Sequence, residues 1–282
     1  MAFEDILLHI DSYPEPTSPA AVEQVVRLVT GLGGKLSALA VRVRFPLESN
    51  RVADLLIGLG GMIKEEEARS HDACRQSLDH FTATAKAAGV FQEAVLDVTD
   101  VYTFAQHVAL RARTRDFSIV PLARNHEGQQ EVAQAAIFSS GRPVLIFQSD
   151  TGPFAAGSFR KVVVGWDGGQ CAARAMAEAL PILAQAKQVR VLSILNEKPI
   201  GATPTAAEAV RHLAAHGVAA TIDEVDAAGR PIGAVLDEYL AAQAPDLLVM
   251  GAYGHSRVRE FILGGATKHM MSRPHVPVFM AH

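Results

Sequence analysis

Phe159-Arg160-Lys161-Val162-Val163-Val164-Gly165-Trp166-Asp167 can be laid without a gap beside Phe3-Glu4-Asp5-Ile6-Leu7-Leu8-His9-Ile10-Asp11. Each stretch is a short apolar run of strand length that ends in an aspartate. The likeness continues downstream: Asp116-Phe117-Ser118-Ile119-Val120 matches Asp246-Leu247-Leu248-Val249-Met250, and Pro143-Val144-Leu145-Ile146-Phe147 matches Pro277-Val278-Phe279-Met280. Self-similarity repeated in the same order reads as a duplication. It predicts two domains, 1–150 and 155–282. The segment Ser149-Asp150-Thr151-Gly152-Pro153 between them has the polar and Gly/Pro composition of a linker.

Within the second half the pattern predicts strands near 160–166, 188–195, 218–225, 246–250 and 276–281, with helices near 170–186, 204–216, 230–243 and 265–272. Apolar runs that alternate with amphipathic stretches imply the α/β class, here two tandem open parallel sheets covered by helices on both faces. The first half follows the same order but has a longer middle, a helical stretch from about Asn50 to Ala88. Glycines at 58, 60 and 61 disfavour a continuous helix there by about 1 kcal/mol each. The apolar insertion Val52–Ile63 leaves two readings open: packing against the protein itself, or a lipid or partner surface.

A chain that is 49% hydrophobic and 20% charged has the make-up of a folded soluble protein. Its formal net charge is -4 and its basic residues are scattered, so it carries no electrostatic footprint for nucleic acid. Cys74 and Cys171 form no CxxC and read as small buried hydrophobes or idle thiols of a reducing compartment. The start, Met1-Ala2-Phe3-Glu4-Asp5, lacks the basic region of a secretory signal, and no apolar stretch is long enough to span a bilayer. A cytoplasmic protein without a membrane span is expected.

The chemistry concentrates in Gly251-Ala252-Tyr253-Gly254-His255-Ser256-Arg257-Val258-Arg259-Glu260-Phe261-Ile262-Leu263-Gly264-Gly265-Ala266-Thr267. This segment begins at the carboxyl end of a predicted buried strand, where open parallel sheets bind ligands. Gly251 and Gly254 permit a sharp turn and a close backbone approach. Gly264 and Gly265 open a helix whose first N–H groups and dipole favour an anion, so the whole suits a phosphate cradle. The competing reading is a glycine loop that only lets strand and helix pack closely. His255, Ser256, Arg257 and Arg259 either contact phosphate or are solvated loop residues.

The pattern Gly, two residues, Gly, nine residues, Gly, met by Gly251, Gly254 and Gly264, resembles the nucleotide-binding signature of universal stress proteins. The opening Val162-Val163-Val164-Gly165-Trp166-Asp167-Gly168 is similar to that family's first strand. The resemblance implies a Rossmann-like, adenine-nucleotide alpha-hydrolase-like fold and binding of ATP, with or without Mg²⁺. It places Gly165 and Asp167 beside the adenosine, backbone groups near Ile194 at the adenine, and Met250 along the sugar. Gly251, Gly254, Gly264, Gly265, Ala266 and Thr267 then surround the phosphates. Gly265 stands where the family's binders usually carry Ser or Thr, and Thr267 offers a hydroxyl two residues later.

The resemblance also implies that the halves pair through their last strands as an internal pseudo-dimer, and it leaves further homodimerisation open. In the first half Pro121 and Arg124 stand in for Gly251 and Gly254. Proline has no N–H to donate and fixes φ, so the same cradle cannot form there. One nucleotide per chain is expected, in a stress-response or regulatory protein.

No GxSxG, GxxxxGK[ST] or dinucleotide glycine spacing occurs, and His255, His269, His275 and His282 match no metal-ligand pattern. No catalytic or metal residue is therefore assigned. A scaffold that binds no nucleotide, and a weak ATP-cleaving enzyme, are the alternatives.

Overall fold

The computed structural model describes residues 3–13, 15–45, 59–123, 127–149, 157–196, 204–252 and 265–282. Its first half runs β1 (Ile6–Ile10), α1 (Pro19–Leu32), β2 (Leu36–Arg44), α2 (Leu59–Ala87), β3 (Phe91–Asp100), α3 (Phe104–Ala112), β4 (Phe117–Leu122), α4 (Glu127–Ser139) and β5 (Val144–Gln148). The second runs β6 (Lys161–Gly165), α5 (Gln170–Glu178), α6 (Leu180–Leu183), β7 (Gln188–Leu195), α7 (Ala206–Ala215), β8 (Ala220–Asp226), α8 (Ile232–Gln243), β9 (Leu247–Gly251), α9 (Gly265–Ser272) and β10 (Val278–Ala281).

The ten strands among the described residues lie in one sheet, ordered β3-β2-β1-β4-β5-β10-β9-β6-β7-β8. Each half repeats the same doubly wound order, and pairing is parallel except at the seam. There β5 and β10 run antiparallel, with Val278 opposite Ile146, Phe279 opposite Leu145 and Met280 opposite Val144. The expected pseudo-dimer through the last strands is thus built as one continuous sheet.

Burial explains the strand sequences. Central β1, β4, β5 and β10 are buried along their length and mostly apolar because helices cover both faces. Edge strands β3 and β8 alternate toward exposure. Two apolar layers, each continuous across both halves, flank the sheet. One lies under α1, α2, α5, α6 and α7, the other under α3, α4, α8 and α9. Phe279 packs edge-on against Phe117 of the other half, with ring centroids 5.6 Å apart.

Pro121 is accommodated in a central strand because of where it falls. The Leu122 carbonyl accepts from Ser149 on the β5 side, so alternation turns Pro121 toward β1. The β1–β4 pairing has already stopped at Leu8 and Ile119, and the missing N–H costs no ladder bond.

One expectation needs correcting. The helix expected over 170–186 is broken into α5 and α6, because Pro181 cannot continue the α5 hydrogen-bond ladder and instead sits in the first turn of a new helix. Of the long first-half helix, residues 59–87 are present as α2, while 50–58 lie outside the described residues. The same holds for 52–58 of the apolar insertion; its remainder opens α2, where Met62 is 60% exposed. Linker residues 150–153 also lie outside the described residues. Among the described residues no helix is long and apolar enough to cross a membrane.

Candidate functional site

In each half the strand order reverses between the first and fourth strands, and at such a switch point the carboxyl ends of neighbouring strands diverge into a crevice. In the second half these strands are β6 and β9, which pair from Val162–Leu247 to Val164–Val249. The sheet therefore brings Gly165 and Asp167, at the end of β6, together with Met250 and Gly251, at the end of β9.

Gly165 is half-buried, and a β-carbon built on it would lie 3.6 Å from the Met250 β-carbon. The protein tolerates a side chain there, so its absence leaves space beside Met250, which is itself buried. Asp167 is exposed, and its Oδ1 accepts from Gly169 N at 2.8 Å in the turn that starts α5.

Ile194 lies next along the sheet. The Leu192 carbonyl accepts from Trp166 on the β6 side and the Leu195 carbonyl from Ala227 on the β8 side. Alternation then turns the Ile194 N–H and C=O toward the β6 side, past the end of that strand.

Gly251 has a different physical reason from the one its motif suggests. A β-carbon on it would come within 2.5 Å of Ala172 N and 2.6 Å of the Cys171 carbonyl carbon. The end of β9 lies against the first turn of α5, and only glycine fits. Gly265 is exposed at the start of α9, Ala266 is half-buried and Thr267 is 2% exposed. Gly254 and Gly264 lie outside the described residues, as do His255, Ser256, Arg257 and Arg259.

Two residues to which the sequence assigned no role in the site, Cys171 and His282, meet here. Cys171 sits behind Gly251 with its sulfur 3.6 Å from His282 Nδ1. Burial, and then the Asp167 carboxylate, push its thiol above the usual range, so it is protonated at neutral pH. His282 Nδ1 is 3.0 Å from the Ala252 carbonyl.

The corresponding end of the first half is filled by its own side chains. In the gap-free match His9 replaces Gly165, and its ring is 1% exposed, packed edge-on to Phe104 at 5.5 Å. Neither ring nitrogen makes a hydrogen bond of normal geometry among the described residues. Burial pushes the imidazole down to about 4, and the nearby Leu39 backbone offsets only part of this.

Asp11, the counterpart of Asp167, is buried; it accepts from Ser12 N, and its own N–H donates to Thr17 Oγ1 at 2.9 Å. The Ser12 hydroxyl donates to the Val41 carbonyl and meets Ser70 of α2 at 3.0 Å, with the Cys74 thiol beside it. Only residues 123–126 join β4 to α4, against 252–264 between β9 and α9. Arg124 falls outside the described residues. The histidine signal was available in the alignment of the two first strands. Among the described residues no group of three or more His, Cys, Asp or Glu could hold a metal ion.

Comparison with known proteins places this arrangement. The model of the universal stress protein family matches residues 158–282. A search of curated proteins finds no match. Among solved structures, a universal stress protein from Archaeoglobus fulgidus DSM 4304 is 16% identical with a TM-score of 0.69, over 98% of this chain and 97% of that one. A putative universal stress protein from Pseudomonas aeruginosa UCBPP-PA14 is 15% identical with a TM-score of 0.56, over 99% and 93%. A functionally unknown protein from Pseudomonas aeruginosa PAO1 is 13% identical with a TM-score of 0.53, over 98% and 92%. Residues 158–282 match the universal stress protein family, and the fold of these solved structures extends over nearly the whole chain, its first half included.

Proposed function

We propose that the second half binds one adenine nucleotide, ATP with or without Mg²⁺, at the carboxyl ends of β6, β7 and β9, and that the protein serves a stress response or regulatory role through that binding. The observation that carries this reading is the contrast between the two crevice ends. One has a side-chain-free Gly165 and an exposed Asp167; the other is filled by His9, Asp11 and Ser12.

The residues present suit the ligand. Ile194 offers backbone groups for the adenine edge, Asp167 a carboxylate for adenosine hydroxyls, and Met250 an apolar wall. Gly251, Gly254, Gly264 and Gly265, followed by Ala266 and Thr267, follow the cradle pattern for the phosphates.

A second reading, an interaction scaffold without a nucleotide, draws on Gly251, whose glycine is required by the approach of α5 whether or not a ligand binds. Native mass spectrometry of the purified chain, followed by calorimetric titration with ATP, separates the two. One nucleotide per chain is the expected result. No uptake at millimolar ATP would leave the scaffold reading, and two per chain would refute the asymmetry.

A further inference from the structure

Two side chains of the second half reach the first half beside the same crevice. The His282 ring stands edge-on to Phe138 of α4, with centroids 5.0 Å apart. Arg174 of α5 donates to the Gly141 carbonyl, just past α4, at 2.7 Å. Both contacts lead back to the place where β9 meets α5.

A carbonyl oxygen only accepts, so His282 Nδ1 carries the proton and donates to Ala252. The Ala252 N–H donates in turn to the Ala281 carbonyl at 2.8 Å. Residues 281 and 282 thus hold both backbone groups of Ala252. Ala252 directly follows Gly251, where a β-carbon would collide with Cys171 and Ala172. Arg174 lies one turn along α5 from Cys171. In the first half the position matching His282 is Gln148, which has no ring to be stacked, so the arrangement serves one crevice only.

We infer that the first half fixes the Gly251 edge of the second half's crevice through Phe138, His282 and Ala252, with Arg174 steadying the α5 side. The first half is then a positioning element for a site it does not contain. His282 is a positioning residue: it acts through the Ala252 backbone. The geometric claim stands by itself, and its effect on affinity rests on the nucleotide reading above.

The test uses the full chain and the variants His282→Ala, Phe138→Leu and both together. Amide hydrogen exchange at Ala252 is followed by NMR and ATP affinity by calorimetry. Each single variant should speed exchange at Ala252 and raise the ATP Kd by about fivefold, close to 1 kcal/mol. The double variant should lose no more than His282→Ala, because the two residues act through one contact. Unchanged Ala252 exchange in both single variants, or losses that add in the double variant, overturns the inference. If the unmodified chain takes up no ATP, the nucleotide reading fails, while exchange at Ala252 still decides this one.

Discussion

Acidification should weaken the fold through one residue, His9. Its imidazole titrates near 6.5 when unfolded and is pushed down to about 4 by burial in the folded chain. Between those values the unfolded chain binds a proton that the folded chain refuses, so stability falls as pH drops from about 6.5 to 4. At 1.36 kcal/mol per pH unit, the full loss is about 3 kcal/mol.

The depressed carboxyls of Asp97 and Asp223 act elsewhere on the scale. Their groups lie below 3.8 in the folded chain, held there by Arg111 and His107 and by Tyr239 and Arg190 against the opposing effect of burial. The stability they contribute is lost only as pH falls to and below about 4. Replacing His9 by Phe removes the titrating group and keeps a ring against Phe104. Urea denaturation followed by circular dichroism at pH 7, 6, 5 and 4 should show the variant's profile flatter than that of the unmodified chain by about 3 kcal/mol over this range. Parallel profiles, within about 0.5 kcal/mol at every pH, would refute the reasoning.

Further outcomes are expected at the crevice and at a helix end. Gly251→Ala should cost about 1–3 kcal/mol of stability in thermal melts, because its β-carbon would meet the α5 backbone at 2.5 Å. Gly165→Ala should leave the melting temperature unchanged, since its β-carbon meets nothing closer than 3.6 Å, yet reduce ATP affinity at least about tenfold by calorimetry. Asp167→Ala should weaken ATP binding and cost no more than about 1 kcal/mol of stability, through the lost bond from Gly169 N at the exposed start of α5. Asp11→Ala, which removes a buried and hydrogen-bonded carboxylate, should cost about 1–2 kcal/mol in urea melts and leave the ATP Kd unchanged. Ala244 ends α8 at φ 44° and ψ 57°, so Ala244→Gly should raise stability by about 1 kcal/mol in the same melts.

The strands were legible because their signal is local. Val162-Val163-Val164 and Ile6-Leu7-Leu8 are apolar on both faces, and the matched first strands disclosed the duplication; the β5–β10 seam was expected from the duplication together with the family resemblance. Pro181 was equally legible, and a helix carried through it ignored a local rule. Other features depend on contacts between residues far apart in the chain. The demand for glycine at 251 comes from α5, whose first turn arrives from a different crossover. His9 stood in plain view opposite Gly165, but its burial depends on Phe104 of α3. The Cys171–His282 contact joins residues 111 positions apart, and nothing in either neighbourhood announces it.

Trp166 occupies the turn between Gly165 and Asp167, with its indole 7% exposed and Nε1 donating to the Pro204 carbonyl at 3.0 Å. It is the only tryptophan in the chain, and its counterpart in the first half is Ile10. The protein thereby carries its own optical probe, placed on one of two near-duplicate crevices and silent about the other. Its emission reports whether the residue that leads into α7 stays docked against the end of β6. A ligand that disturbs this contact should change the emission without any label, and the signal arises from the second half's crevice.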